Sequence, residues 1–480
     1  MQKNLTRSTQ KFIQILYLAF ISIYLCFAPS LNLLAYDGKR IIAVILVITS
    51  LFISLLNLGG IKSHPFFILS LNTKIKLISI ILLMLFSNFL AVNQLIAFLE
   101  VSFCLGLFFF IFTLCKIVRD QNQIVTLFIF ITLQSAALFY LTNFFTAFLA
   151  SFIENIPLQW PEPFSGFSNV RFFNQYQIWS ITLLTLPLLI YPSLDNRIKI
   201  FLKIIATGWV ILLFASASRG APASVVLAML ITLFIFKDHA KPFLKLNSLI
   251  LLSGFVGYLL LFKLIPVLLE NQIIVGWKPI ENITTSSGRA ELWKYAIQYI
   301  IDNPWLGIGP MHYAYYPGPT HAHPHNSLLQ WASEMGIPST LLVISLIYSG
   351  LSAWVQKFYR LSNENKLYVP SHLWIALFCS LCSGLIYSLV SGVIVMPLSQ
   401  IMMTLIAGWM LGIYFQDQQA KPVSQNQHIA FMLLAGATLI TLTYTILPSL
   451  LPRLISYQDL PYQDYPTLAP RFWQIGGIPH

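Results

Sequence analysis

Apolar runs long enough to cross a lipid bilayer recur along the whole of this sequence, separated by short clusters of Lys, Arg, Asn, Gln and Pro. A helical span needs roughly 20 such residues to cover a hydrocarbon core about 30 Å thick. The runs lie near residues 12–34, 41–58, 76–92, 96–115, 123–150, 176–192, 200–216, 221–236, 246–264, 338–356, 370–394, 396–415 and 429–450. They predict an all-α polytopic membrane protein of about 12–13 transmembrane helices. A water-soluble fold is excluded, because 57% of the residues are hydrophobic and only 9% are charged.

With the N-terminus inside, every second loop collects the basic residues. These are Lys3, Arg7 and Lys11; Lys62, Lys74 and Lys76; Lys116 and Arg119; Arg197, Lys199 and Lys203; Lys237, Lys241 and Lys245; and Lys357, Arg360 and Lys366. This alternation is the positive-inside pattern. The net charge of +12 therefore reports topology and attraction to anionic membrane lipids, and no nucleic-acid partner is expected. The first apolar stretch is too long for a signal peptide and is followed by no small-residue cleavage site, so it is expected to be the first span. Cys26, Cys104, Cys115, Cys379 and Cys382 all lie in or at the ends of spans, which fits neither a disulfide framework nor a zinc site.

Repeats of fixed period and low-complexity tracts are absent from the sequence. The expected organisation is nine spans over residues 1–264, interrupted by an outer loop at 151–175, then a large periplasmic loop at 265–337. Four more spans occupy 338–450, and a periplasmic tail rich in Pro and aromatics runs from 451 to 480. Within the large loop, Trp293, Ala296, Ile297, Ile300 and Ile301 have the spacing of an amphipathic helix over Arg289–Ile301. Ser286 or Ser287 is placed to cap it, and Asn303-Pro304 to stop it. A second helix is expected after Pro324, with Leu328, Trp331, Ala332 and Met335 on one face and Gly336 then Pro338 ending it.

Four groups of residues could carry chemistry. In Ser216-Ala217-Ser218-Arg219-Gly220-Ala221-Pro222, Ser218 is placed to cap the next helix, so that backbone N–H groups and Arg219 face one spot suited to phosphate. The alternative is an interfacial Arg in a tight turn. Arg289 opens the first loop helix on its apolar side, either as a second guanidinium fork for a diphosphate or as an Arg reaching to the interface. Thr320-His321-Ala322-His323-Pro324-His325-Asn326 places three histidines at alternate positions, a spacing open to base chemistry or to Zn²⁺. In the shorter outer loop, Asn169, Arg171 and Asn174 stand among aromatics, a mixture that suits sugar hydroxyls and rings and is shared by interfacial aromatic belts. Glu100 is the carboxylate placed inside a span, near its outer end.

These patches resemble the O-antigen ligase superfamily of bacterial envelope glycosyltransferases. Ser218-Arg219-Gly220 is similar to its Ser-Arg-Gly turn. Ser287-Gly288-Arg289 through Trp293, Asn303-Pro304 and Gly307-Ile308-Gly309 is similar to its loop helix, and His325-Asn326 with Gly336 to its histidine motif. The order agrees across roughly residues 160–415. Two departures are Ser339, where Gly or Thr is frequent, and the final span with its tail, since lipopolysaccharide ligases end in the cytoplasm after twelve spans.

The resemblance implies a GT-C-like fold in the bacterial inner membrane, an active site facing the periplasm, and transfer without cofactor or metal. The donor would be a glycan on undecaprenyl diphosphate. His325 would act as general base, with Arg219 and Arg289 on the diphosphate. Apart from the resemblance, Arg171, Asn169, Asn174, His321, His323 and Asn326 are expected to bind substrate. Three acceptors remain open: a sugar of the lipid A core (an O-antigen ligase), a pilin-type protein (an O-oligosaccharyltransferase), or another lipid-linked glycan (a repeat-unit polymerase). A transporter or flippase is the alternative from another class; inverted repeats and ionisable groups near the midplane would favour it.

Overall fold

The computed structural model describes residues 7–27, 35–57, 65–156, 158, 163–269, 288–316, 319, 321–418, 424–455 and 471–473. Among them every regular element is helical. In chain order these are α1 (Arg7–Phe27), α2 (Ala35–Asn57), α3 (Leu71–Leu90), α4 (Gln94–Glu154), α5 (Val170–Gln177), α6 (Leu186–Ile190), α7 (Asn196–Ala215), α8 (Gly220–Phe236), α9 (Lys241–Leu259) and α10 (Ile265–Leu268). They continue with α11 (Arg289–Asp302), α12 (Ser327–Asn363), α13 (Ser371–Tyr387), α14 (Pro397–Tyr414) and α15 (Gln425–Ile455). Nine helical stretches among the described residues are long and apolar enough to cross a membrane. Helix α4 alone runs 61 residues, roughly 90 Å at 1.5 Å per residue, which is far more than one crossing needs. It breaks at Gln121 (φ −144°), and its halves are the two spans expected at 96–115 and 123–150.

The spans pack through small residues, as helices without a hydrophobic driving force between them must. Gly408 and Gly412 of α14 let it lie directly on the backbone of α4 at Ile111 and Cys115. Gly254 of α9 does the same on α7 at Thr207.

The stretch 176–192, expected as one continuous span, is instead broken: α5 ends at Gln177, turns follow, and α6 is only five residues long. The cause is its buried polar content, including Gln177, Ser180, Thr182 and Thr185. Neighbouring side chains satisfy the backbone groups that the break frees, which is the condition for irregular chain at membrane depth. Gln134 donates to the Leu184 carbonyl at 2.7 Å and Ser380 to that of Trp179 at 2.5 Å. The Gln177 amide donates to the Trp209 carbonyl at 2.6 Å.

The bundle has two chemically different ends. At one, Arg119 donates to the Gln418 carbonyl at 2.7 Å and Lys357 pairs with Asp417. At the other, the starts of α2, α4, α8, α12 and α14 meet the end of α13, and the candidate site lies there.

Candidate active site

The frame of the site is a close crossing of two backbone segments. Gly336 (φ +80°) breaks α12 without ending it, so the expected terminator is a kink joining the loop helix Ser327–Met335 to the span that follows. A Cβ at Gly336 would strike the Trp305 carbonyl, and one at Gly307 (φ +69°) would strike the backbone of Glu334. Both positions need a residue that accepts positive φ and has no side chain. Across the crossing, Ile308 N–H donates to Ser333 at 2.8 Å, Gly309 N–H to Glu334 at 3.1 Å and Ile337 N–H to Pro304 at 2.8 Å. The residues of the Gly-Ile-Gly motif thus hold α11 and the loop helix in one rigid unit.

Asn326 caps the loop helix, its Oδ1 accepting from the N–H groups of Leu328 and Leu329, each at 3.0 Å. The preceding residue, His325, has φ +54°, a left-handed conformation that costs roughly 1–2 kcal/mol for a side chain with a Cβ. Its neighbours impose it. Trp293 donates to the Pro324 carbonyl at 2.9 Å, and the Ser327 N–H to the Ser388 carbonyl at 2.9 Å. His323, 1% exposed, accepts the His325 N–H at 3.3 Å and packs on Gly392. The ring of His325 meets that of His323 edge to face at 4.2 Å and lies 5.3 Å from that of His321. Among the described residues no group of three His, Cys, Asp or Glu side chains is arranged to hold a metal ion.

The arginines converge on this segment. Burial presses the Arg289 pKa down, and Arg171 acts in the same direction, while Tyr387 opposes both. His325 is held at about 3, first by burial and then by the positive charges of His321, Arg289 and Arg171. His321, on the open side, is lowered by burial and by Arg171. Arg171, Arg289, His321 and His325 therefore share one field, and His325 stays neutral at pH 7.

The third arginine joins through Tyr387. The Ser218 hydroxyl lies 3.1 Å from the Tyr387 hydroxyl, and the backbone at Gly220 rests against the Tyr387 ring. Ser218 was expected to cap α8 and does not: that helix begins without a side-chain cap. Its hydroxyl is instead committed across the helix boundary. Arg219 and Arg171 are exposed, and Arg289 is half-buried.

Asn169 caps α5, its Oδ1 accepting the backbone N–H of Arg171 at 2.9 Å. Asn174 is fully buried, donates to Gln177 at 3.2 Å, and keeps its Oδ1 without a hydrogen bond. It lies among the aromatics Phe173 and Tyr176 in the core.

The apolar faces read from sequence need two corrections. In the loop helix Ala332 and Met335 are buried as expected, but Leu328 is 41% exposed. In α11 the buried residues are Leu292 and Ala296, whereas Ile297, Ile301 and the following Trp305 are exposed. A membrane surface welcomes apolar groups outward, so an apolar stripe there does not mark the protein core.

Sequence reasoning also missed an ionic group beside the crossing. Glu334, in the loop helix, bonds Arg471 at 2.5 Å, and Glu100 lies 3.6 Å from the same guanidinium. Glu100, the carboxylate inside a span, is thus paired with Arg471. Four residues separate Gln330 from Glu334, a helical spacing that signals a shared face, but nothing local pointed to position 471.

A helical, polytopic membrane protein with three arginines and a neutral histidine at one end of its bundle can hold an anion and accept a proton at a membrane surface. The O-Antigen ligase family model matches residues 204–344, the stretch holding Arg219, Arg289 and His325. The sequence is also 29% identical over 148 residues to a Rickettsia conorii protein with the provisional name polysaccharide ligase, an alignment covering 28% of this chain and 34% of that one. Residues 204–344 are thus similar to the O-antigen ligase family, and the chain spans about a third of the length of the relative it matches.

Proposed function

We propose that this protein transfers a glycan from undecaprenyl diphosphate to an acceptor hydroxyl on the periplasmic side of the bacterial inner membrane. The observation that carries this reading is the shared field of Arg171, Arg289, His321 and His325, tied through Tyr387 to the Ser218-Arg219-Gly220 turn. Planar guanidinium forks bind phosphate oxygens in pairs. Arg219 and Arg289 hold the diphosphate, with Arg171 beside them, and steady the charge that builds on the leaving group.

A neutral His325 takes the proton of the acceptor hydroxyl as its oxygen attacks the anomeric carbon. The bond from that carbon to the diphosphate breaks, and undecaprenyl diphosphate leaves with the electron pair. A histidine held near 3, first by burial, is a weak base, but the negative charges of the donor offset the part of that shift that comes from Arg289 and Arg171. The donor therefore strengthens the base that deprotonates its attacker.

Among acceptors, a sugar of the lipid A core fits a sequence with no appended protein-binding domain at 265–337, which makes the protein an O-antigen ligase. The test is a reaction in lipid nanodiscs with a glycan on undecaprenyl diphosphate. Release of undecaprenyl diphosphate that depends on lipid A core, with the glycan recovered on the core, is expected. Release that requires a pilin or a second lipid-linked glycan replaces the acceptor, and no release with any acceptor overturns the reading.

A further inference from the structure

Arg471 is 2% exposed, although it lies beyond the last span in sequence. Its Nη2 donates to Glu334 at 2.5 Å and lies 3.6 Å from Glu100. With its amide oxygen turned toward the guanidinium, Gln330 accepts from the same nitrogen at 3.0 Å. The backbone around it is pinned as well. The Tyr36 hydroxyl donates to the Arg471 carbonyl at 2.6 Å and Arg40 Nε to the Phe472 carbonyl at 2.8 Å. The Arg40 guanidinium also covers the Phe472 ring at 4.7 Å. Burial works against the charge of Arg471, but Glu334 and Glu100 more than offset it and keep the guanidinium protonated.

Glu334 connects this clasp to the candidate site. Its second carboxylate oxygen accepts the Tyr313 N–H at 3.3 Å, and its carbonyl accepts from Ser87 at 2.8 Å. It closes the loop helix whose other end, capped by Asn326, presents His325. A helix of this length is a stiff rod, so fixing one end aims the other.

We propose that Arg471 is a positioning residue: segment 471–473 latches Glu334 and thereby holds the loop helix, and His325 with it, in register with Arg289. Without the guanidinium, the buried carboxylate of Glu334 and the partly buried one of Glu100 are left uncompensated. The helix end that carries Glu334 then moves toward water. The consequence for activity rests on the glycan-transfer reading; the latch itself does not.

The experiment compares full-length wild type with Arg471→Gln, Arg471→Lys, Glu334→Gln and the double Gln variant in nanodiscs, by backbone hydrogen exchange and by transfer kinetics. In Arg471→Gln, exchange at 308–314 and 327–335 should rise about tenfold or more while α7 and α8 stay unchanged. The transfer kcat should fall about tenfold with donor KM within about twofold, and Arg471→Lys should recover most of both. The two Gln changes should be non-additive, as for residues in contact. If Arg471→Gln does not fold, the Lys and double variants carry the comparison. Unchanged exchange, a uniform rise across all spans, or additive effects would overturn the latch. A response in exchange from a wild type that transfers no glycan keeps the latch and rejects the transfer reading.

Discussion

The indole of Trp293 donates its N–H to the carbonyl oxygen of Pro324 at 2.9 Å. The helix that carries Arg289 and the segment that carries His325 are thereby joined at one point, so the candidate anion site and the candidate base keep a fixed separation. Trp293→Phe preserves the ring's bulk and deletes the donor, a loss of about 1 kcal/mol. Expressed wholly in positioning, that is about a fivefold fall in kcat. Steady-state transfer rates check this, with thermal unfolding expected to shift by only a few degrees.

Arg219→Lys and Arg289→Lys each keep the charge and lose the planar fork. A hydrogen bond to a charged group contributes about 1.5–3 kcal/mol, so each variant should be about ten- to hundredfold slower. Wild-type rates in both would reduce these arginines to interfacial anchors.

The topology that underlies the reading has a direct check. With Asp302→Cys and Asp238→Cys in a cysteine-free background, an impermeant thiol reagent applied to intact spheroplasts should label the first and spare the second. Both side chains are exposed, so burial does not confuse the outcome. Labelling of Asp238→Cys alone would invert the orientation read from the basic loops.

The architecture was legible because apolar length and loop charge are local properties of the chain. Both halves of α4 were found, and so were α11 and the loop helix. The break at 178–185 was not, since it depends on Gln134, Ser380 and Trp209, which come from other helices. Arg219, Arg289 and His325 stood out as candidates in the sequence because they lie beside turn signals. Tyr387, inside the stretch 370–394, carried no sequence signal, because its part depends on the contact of its hydroxyl with Ser218. Arg471 and Glu334 are 137 residues apart, and no periodicity links them.

The depressed pKa of His325 has consequences for both stability and rate. Burial, then His321, Arg289 and Arg171, hold it at about 3 against an ordinary 6.5. The unfolded chain therefore binds more protons between those values. The stability tied to the neutral ring is complete above pH 6.5 and is lost as pH falls toward 3. In kinetics, the free enzyme governs kcat/KM and the donor complex governs kcat. Because the diphosphate offsets the arginines, the acid limb of kcat should lie at higher pH than that of kcat/KM. Coincident limbs in a full pH profile would contradict the coupling.

The central claim is that His325 takes the acceptor's proton, and transfer by three alanine variants tests it most directly. A positioned base contributes about 10²–10⁴-fold. His325→Ala should therefore lose that much in kcat while still binding donor, and His321→Ala and His323→Ala should lose less. Wild type should be indifferent to EDTA. A His325→Ala variant near the wild-type rate would contradict the claim, and so would equal losses at all three histidines with inactivation of wild type by the chelator.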